Sequence, residues 1–369
     1  MIGKAAHQYD DEVPSEVAWH FIGLNSKTAS RAPSGSHPCQ GIYWTPRSEK
    51  PKIAFMAVHH TVDYSEHYLA IPLALRGYGF LGWNTRYRNR EDLFVLDNAL
   101  EDISFGTKWL KEVAGVNKII FIGNSGGGSL MAAFQAKATK VPSTLGADLF
   151  IFLNAHPGRP NVLTNWLDPS LVDETDVLSR DPSLDMYNPA NSVPYSQEFI
   201  KRYRAAQIDR NHRITNWVKG ELERLNDAGV PDRVFTIHRT MADLRFRDIT
   251  IDPSDRPANV CYDGIPEEAN RSIGRLGRSS SLRTWLSMWS LQESKSKFED
   301  SAADLQVPTL VIQSTADAGV YPSDALEIFD QISATDKEIR MIPGGHYFQS
   351  EAELRGAVEA ILTWMESRI

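Results

Sequence analysis

The sequence predicts an α/β fold in which helices flank a mostly parallel central sheet. Between residues 51 and 155, short apolar runs alternate with longer helical stretches, which is the pattern of βαβ units. The same alternation returns at residue 309 and continues to the end of the chain. The residues between these two parts lack it. The chain has 369 residues, so one core carrying a large insertion fits a length that exceeds a typical domain of about 100 to 200 residues.

Strands are predicted where a near-continuous apolar run could lie between two layers of helices. Before the insertion these runs are Lys52–Val58 (KIAFMAV), Phe80–Asn84 (FLGWN), Lys118–Ile122 (KIIFI) and Asp148–Asn154 (DLFIFLN). Helical patterns separate them, at about Ser65–Arg76, Leu93–Val113 and Gly127–Lys140. Ahead of these elements, Glu12–Trp44 is predicted to form antiparallel edge strands, and Gln40–Thr45 (QGIYWT) gives the clearest pattern.

After the insertion the βαβ rhythm resumes. The predicted elements are strands Thr309–Gln313 (TLVIQ) and Lys337–Ile342 and helices Ser323–Ile332 and Glu351–Ser367. The sequence therefore predicts a core of residues 1–156 and 305–369, with a mainly helical cap of residues 157–304 inserted after the sixth strand. Amphipathic helical pieces of this cap are predicted at Glu198–Ile208, Asn216–Leu225 and Ser281–Leu291.

The strongest chemical signal is a G-x-S-x-G motif at Gly123–Gly127, directly after the strand KIIFI and before a helical run. A bare motif of this kind occurs by chance in about one chain in ten of this length. The setting gives it meaning, because a sharp turn between strand and helix lifts the serine hydroxyl above the sheet. Ser125 is the predicted nucleophile, and the backbone N–H of Gly126 is a predicted donor to an oxyanion.

A serine hydroxyl needs a base to take its proton and an acid to orient that base. His346 follows the last predicted strand in PGGHY, and Asp317 follows the strand TLVIQ in STADA. The carboxyl ends of parallel strands meet at one edge of a sheet, so these residues are predicted to lie near Ser125. Asp324 and Asp304 are the alternative acids, since an aspartate after a strand often only caps a helix.

These motifs and their chain order resemble the α/β-hydrolase superfamily, specifically serine esterases with a large inserted cap. The resemblance covers about residues 40–156 and 305–369. It implies Ser125 as nucleophile, Asp317 as the acid of the triad and His346 as base, with no cofactor. His59 matches a family histidine, whereas His60 replaces the usual glycine. The second oxyanion donor is therefore expected to be the backbone N–H of Thr61 or of His60.

Four further side chains are candidates for the substrate pocket: His59, His156, Trp285 and Trp289. Each has a structural alternative, because His59 and His156 could pack or cap a turn and the tryptophans could form the cap's own core. Residues 201–300 carry 18 Lys and Arg against 15 Asp and Glu. An arginine of this segment would suit a substrate carboxylate, and solvated surface ion pairs are the alternative. The candidates are Arg245, Arg247, Arg275 and Arg278.

Other classes of protein fit the sequence poorly. Gly77–Gly82 matches G-x-G-x-x-G, yet it follows a helix and precedes a strand, the reverse of a dinucleotide site. No P-loop, HExxH or zinc spacing is present, so neither a nucleotide nor a metal is predicted. The net charge of −8 argues against nucleic-acid binding. Without an apolar run long enough for a signal peptide or membrane span, we expect a cytoplasmic protein with no membrane partner.

The sequence thus predicts a hydrolase that cleaves a carboxylic ester of a small or medium organic molecule through an acyl-enzyme. The same triad could instead serve a thioesterase, an amidase, a carbon–carbon bond hydrolase or an acyltransferase. A non-catalytic ligand receptor on the same fold is the alternative from another class. The predicted partners are the small-molecule substrate and a second copy of this chain in a homodimer.

Overall fold

The computed structural model describes residues 13–369 and has one central sheet of eight strands. The strands of the chain are β1 (Val17–Leu24), β2 (Cys39–Pro46), β3 (Ile53–Val58), β4 (Gly79–Asn84), β5 (Lys118–Asn124), β6 (Leu149–Leu153), β7 (Val234–Thr236), β8 (Ser279–Ser281), β9 (Thr309–Ser314) and β10 (Lys337–Ile342). The order in the central sheet is β1-β2-β4-β3-β5-β6-β9-β10, and β7 and β8 pair with each other outside it.

Strand direction follows the prediction. Strand β2 pairs antiparallel with β1 and with β4, whereas all other neighbours in the central sheet are parallel. The predicted mostly parallel sheet with antiparallel strands at its amino-terminal edge is therefore confirmed. Residues 1–12, including Glu12 at the start of the predicted edge strands, lie outside the described residues.

Nine α-helices are described: α1 (Ala70–Ala74), α2 (Leu96–Trp109), α3 (Gly127–Lys140), α4 (Arg159–Trp166), α5 (Gln197–Asp227), α6 (Pro266–Arg271), α7 (Leu282–Thr284), α8 (Pro322–Gln331) and α9 (Glu351–Glu366). Helix α1 is much shorter than the predicted Ser65–Arg76. Side chains take the place of helical carbonyls here, because the N–H of Tyr64 donates to Asn84 Oδ1 and the N–H of Leu69 donates to His67 Nδ1. This segment therefore turns before the helix begins.

Both faces of the sheet are covered by apolar layers. Along β3, Met56 joins one layer with Phe121 and Phe134, and the neighbouring Phe55 joins the other layer with Ile361. Successive side chains of a strand point to opposite faces, so a strand buried on both sides must be apolar throughout. This requirement is the reason that the apolar runs in the sequence were reliable strand signals.

Helix α5 corrects the prediction of two separate helical pieces. It is one helix of 31 residues, and Arg210 and Asn211 in the polar stretch between the two predicted pieces are buried. Arg210 pairs with Glu174 at 2.7 Å, and Asn211 Nδ2 donates to the carbonyl of Trp289 at 3.0 Å. Polar residues with such partners can occupy buried helix positions, which the apolar periodicity alone does not reveal.

The segment predicted as a helix at Ser281–Leu291 begins as α7 and continues as a π-helical turn at Trp285–Trp289. The division of the chain into a core and a separate cap of residues 157–304 stays a prediction. Among the helices of residues 13–369, none combines the length and the apolar character that crossing a bilayer requires.

The continuity of α5 can be tested at Gly220, which is exposed and has no atom within 4 Å of a Cβ built on it. We expect Gly220→Ala to raise the free energy of unfolding by about 0.5 to 1 kcal/mol, because alanine favours a helix interior over glycine. Urea denaturation measures this. Gly82→Ala is the opposing control, since its Cβ would lie 2.0 Å from the carbonyl oxygen of Tyr64. Destabilisation by Gly220→Ala would mean that the helix is interrupted there.

Candidate active site

Ser125 occupies a strained turn between β5 and α3. Its φ is 53°, in the left-handed region that residues other than glycine seldom adopt. The backbone N–H of Ser125 donates to the carbonyl of Leu153 at 3.1 Å, which ties the turn to the end of β6. The turn sets Ser125 at the carboxyl edge of the sheet, where it lines a cavity.

Two glycines allow this turn to pack tightly. A Cβ at Gly123 would lie 2.7 Å from the Cα of Gly128, and a Cβ at Gly127 would lie 2.4 Å from the carbonyl oxygen of Val58. Real Cβ atoms do not tolerate such contacts with backbone, so any larger residue would push α3 away from the sheet. The glycines of the motif are therefore required by packing as well as by the turn.

Asp317 and His346 form a close pair. Asp317 Oδ2 lies 2.6 Å from His346 Nδ1. The other carboxylate oxygen accepts the backbone N–H groups of Gly319 at 2.7 Å and Val320 at 3.0 Å, and the residue is 1% exposed. Because an ionised carboxylate only accepts hydrogen bonds, Nδ1 of His346 carries the proton and its Nε2 is left as the basic nitrogen.

The loops that hold this pair are tied together by Asn154 at the end of β6. Asn154 Nδ2 donates to the carbonyl of His346 at 3.0 Å, and Asn154 Oδ1 accepts the N–H of Ser314 at 2.8 Å. The N–H of Ala316 also donates to the carbonyl of Gly344 at 2.9 Å. Sequence reasoning missed Asn154 as a positioning residue. Its signal is an amide side chain that ends the apolar run DLFIFLN.

The alternative acids are engaged elsewhere. Asp324 accepts the backbone N–H of Tyr321 at 2.9 Å at the start of α8. Asp304 pairs with Lys140 at 2.7 Å. Neither lines the cavity that contains Ser125.

The cavity beside Ser125 has a free volume of about 80 Å³. Its lining consists of His59, Val62, Ser125, His156, Arg159, Trp166, Tyr262, Leu276, Gly319, Val320, His346 and Tyr347. The predicted pocket residues His59 and His156 are among them. Trp285 and Trp289 are not, because both are fully buried and Trp285 Nε1 donates to Thr215 Oγ1 at 2.9 Å. The tryptophans thus pack inside the protein, and Trp166 and Tyr262 provide the aromatic lining.

The loop after β3 contains Thr61 and His60, whose backbone N–H groups are the predicted second oxyanion donors. The N–H of Thr61 donates to His59 Nδ1 at 3.2 Å, so this donor is used within the loop. The ring of His60 is fully buried against Phe94, with ring centroids 5.0 Å apart. Gly126 immediately precedes α3, where the first N–H groups of a helix lack helical partners. The oxyanion roles of Gly126 and of the His60 backbone stay predictions.

Three buried histidines at the cavity or beside it, His59, His60 and His156, favour the neutral form. Burial lowers the pKa of His59 and of His156, and the positive charge of Arg159 lowers both further. Burial and then Arg159 also lower the pKa of His60. Within residues 13–369, no group of three or more potential ligands is arranged to hold a metal ion.

Arg159 is a site residue that sequence reasoning missed. It is only 3% exposed and lines the cavity from the start of α4. The signal was a charged residue just after the carboxyl end of β6, the edge where the predicted triad lies. The arginines named from composition have other partners: Asp243 for Arg245 at 2.9 Å, Asp263 for Arg275 at 2.7 Å, and the carbonyls of Met186 for Arg247 and of Ala269 for Arg278.

Neither a protein family nor a curated protein matches this sequence. Among solved structures, the α/β hydrolase GrgF from Penicillium sp. sh18 is similar over 95% of this chain and 97% of its own, at 14% identity and a TM-score of 0.51. Est1E from Butyrivibrio proteoclasticus is similar over 89% of this chain and 94% of its own, at 13% identity and a TM-score of 0.49. An esterase domain of a Rhodothermus marinus protein is similar over 94% of this chain and 98% of its own, at 11% identity and a TM-score of 0.48. At these identities the likeness concerns the fold.

His67 lies under the turn that carries Ser125. The N–H of Leu69 donates to His67 Nδ1 at 3.2 Å, so the ring proton is on Nε2, which lies 3.1 Å from Asn124 Oδ1. If Nδ1 were also protonated, its N–H would face the backbone N–H of Leu69, which is a donor as well. Burial accordingly lowers the pKa of His67 to about 4.

This pKa predicts a loss of stability in acid. The unfolded chain takes up the proton near pH 6.5 and the folded chain only near pH 4, so the free energy of unfolding falls as the pH drops through that interval. Urea denaturation gives the free energy of unfolding at pH 7 and at pH 5. The difference between these two values should be about 2 kcal/mol smaller for His67→Gln than for the parent protein. His20→Gln, on the exposed part of β1, should leave the difference unchanged. An unaltered difference in the His67 variant would contradict the assignment.

Proposed function

We propose that this chain, which has the α/β-hydrolase fold, is a serine hydrolase of carboxylic esters that works through an acyl-enzyme. The observation that carries the proposal is that Ser125, in a left-handed turn, shares one cavity with His346, whose Nδ1 lies 2.6 Å from buried Asp317. A nucleophile, a base and an acid that orients the base are the groups that acyl transfer to serine requires.

In the proposed reaction, Ser125 Oγ attacks the ester carbonyl while His346 Nε2 takes the hydroxyl proton. Asp317 accepts the hydrogen bond from Nδ1 and stabilises the positive charge that forms on the ring. The backbone N–H of Gly126 stabilises the oxyanion, with that of His60 as the second donor. His346 then protonates the leaving alcohol, and a water molecule activated by the same ring hydrolyses the acyl-enzyme.

The size of the cavity supports a small acyl group. Its free volume is about 80 Å³. The aromatic and apolar lining from Trp166, Tyr262 and Leu276 suits the carbon atoms of such a group. Rates on matched esters, thioesters and anilides with the same acyl group would decide which bond is preferred.

The nucleophile can be identified by covalent labelling. We expect a fluorophosphonate to add one adduct to the parent protein and none to Ser125→Ala, as measured by intact-mass spectrometry. Ser129→Ala is the matched control, because Ser129 is a buried serine of α3, four residues after Ser125, and should not be the labelled residue. Labelling that persists in Ser125→Ala would reject Ser125 as the nucleophile. A parent protein that is never labelled would reject the proposal and favour a ligand receptor.

The acid can be identified by comparing two aspartates. Asp317→Asn should lower kcat for p-nitrophenyl acetate about 10⁴-fold, because the amide can no longer hold the required form of the histidine. Asp324→Asn should lower it far less, since Asp324 caps α8. If Asp324→Asn gave the larger loss, the assignment of the acid would be wrong.

A further inference from the structure

Arg159 is a buried charge that forms no ion pair with a carboxylate of residues 13–369. Its head group contacts the ring of His59 and the face of Trp289, whose centroid lies 5.5 Å from Cζ. Nε is buried and has no hydrogen-bond partner among residues 13–369. Burial lowers the pKa of the guanidinium, and the nearby carboxyl of Glu91 raises it, yet arginine stays charged in proteins. Burying such a charge unpaired is costly, so the site is incomplete without an anion.

The ring of His59 also lacks a hydrogen-bond acceptor for its proton. Its Nδ1 faces the backbone N–H groups of Thr61 at 3.2 Å and Val62 at 3.0 Å, and its Nε2 lies 2.9 Å from Arg159 Nη2. A neutral imidazole carries one ring proton, so whichever nitrogen bears it faces another donor. If Nδ1 accepts the two backbone groups, the proton on Nε2 faces the N–H of Arg159 Nη2, which is another donor. An acceptor oxygen within reach of both nitrogens would satisfy both residues.

The acidic residues of the protein do not supply this oxygen. The lining of the cavity includes Arg159 and three histidines, and among the described residues it includes no aspartate or glutamate. Glu91, the carboxyl that acts most strongly on Arg159, accepts the N–H of Gly277 at 2.8 Å through Oε2, and its buried Oε1 makes no hydrogen bond with residues 13–369. Asp317 is occupied by His346. Arg159 is therefore the one described residue of the lining that carries a permanent charge.

The position of the guanidinium relates it to the proposed nucleophile. A Cβ at residue 126 would lie 2.7 Å from Arg159 Nη2 and 2.8 Å from Nε, so the edge formed by these two nitrogens faces Gly126, next to Ser125. Gly126 therefore covers this edge, and a ligand would meet the two terminal nitrogens of the guanidinium instead. The N–H groups of these two nitrogens also match the two oxygens of a carboxylate.

We propose that Arg159 and His59 bind a carboxylate on the acyl part of the substrate, a few atoms from the ester carbonyl. This inference rests on the proposed function, and it names the substrate class as half-esters of short dicarboxylic acids. Hydrolysis of such a half-ester consumes one water and releases a dicarboxylate and an alcohol. The reactions that supply this substrate must therefore leave one end of a diacid esterified and the other end free.

The test compares two esters whose acyl groups both have four carbon atoms. Monomethyl succinate carries a carboxylate and methyl butyrate carries a methyl group at the same end, and acid release is followed by titration at constant pH. We expect the parent protein to prefer monomethyl succinate in kcat/KM. Arg159→Gln should lower the ratio of the two kcat/KM values about 10- to 100-fold, as expected for hydrogen bonds to a charged group.

Two further variants define the effect. Arg159→Lys keeps the charge without the two-pronged edge, and it should lower the ratio less than Arg159→Gln does. Arg247→Gln removes an arginine that does not line the cavity, and it should leave the ratio unchanged. An equal loss on both esters in Arg159→Gln would overturn the inference, because the guanidinium would then act on a step common to both substrates.

Binding separates this inference from the proposed function. Ser125→Ala removes the nucleophile, and its unfolding temperature should rise with millimolar sodium monomethyl succinate but not with methyl butyrate or matched sodium chloride. The rise should vanish when Arg159→Gln is added. This pattern would support the carboxylate site even if the parent protein failed to react with a fluorophosphonate. No stabilisation by monomethyl succinate in either background would overturn the inference, whatever the labelling result.

Discussion

The direct packing of helix α3 against strands β3 and β5 determines where the rest of the site lies. Only glycine at positions 123 and 127 permits this approach, because any Cβ there would meet backbone atoms. The approach forces the chain through a left-handed residue at Ser125, a conformation that costs of the order of 1 to 3 kcal/mol. Two buried hydrogen bonds of Asn124 help to hold the turn. Asn124 Nδ2 donates to the carbonyl of Leu153, and His67 Nε2 donates to Asn124 Oδ1. The strain is thus maintained by residues that do not line the cavity.

Much of the fold could be predicted because its strands are buried on both faces. The runs at Lys118–Ile122 and Thr309–Gln313 have no polar interruption, and the structure extends them by only two residues and one residue. Helix α3 has the predicted bounds, since the glycines before it and the change of pattern after Lys140 mark both ends. The positions of Asp317 and His346 followed from the same strands, because a residue just past a parallel strand must lie at its carboxyl edge.

The remaining features depend on partners that are distant in the sequence. Arg210 and Asn211 look like solvent-exposed helix positions until Glu174 and the Trp289 carbonyl are in place around them. Trp285 and Trp289 share a face with other apolar residues, and that pattern does not distinguish a cavity wall from a buried core. Arg159 is the clearest case. The composition favoured the arginines of residues 201–300, whereas the arginine that lines the cavity is Arg159, outside that segment.

Strands β6 and β9 are parallel neighbours, although about 150 residues separate them. A parallel pair always needs a crossover, because the chain leaves at one edge of the sheet and must return to the other. Just before β9, the connection contacts β6 and α3 again, because Phe298 packs on Phe152 and Asp304 pairs with Lys140. Insertions, deletions or exchanges within this connection could therefore alter which molecules enter the cavity without shifting the register of any strand. Substrate choice and reaction chemistry can consequently evolve as nearly separate traits on this scaffold.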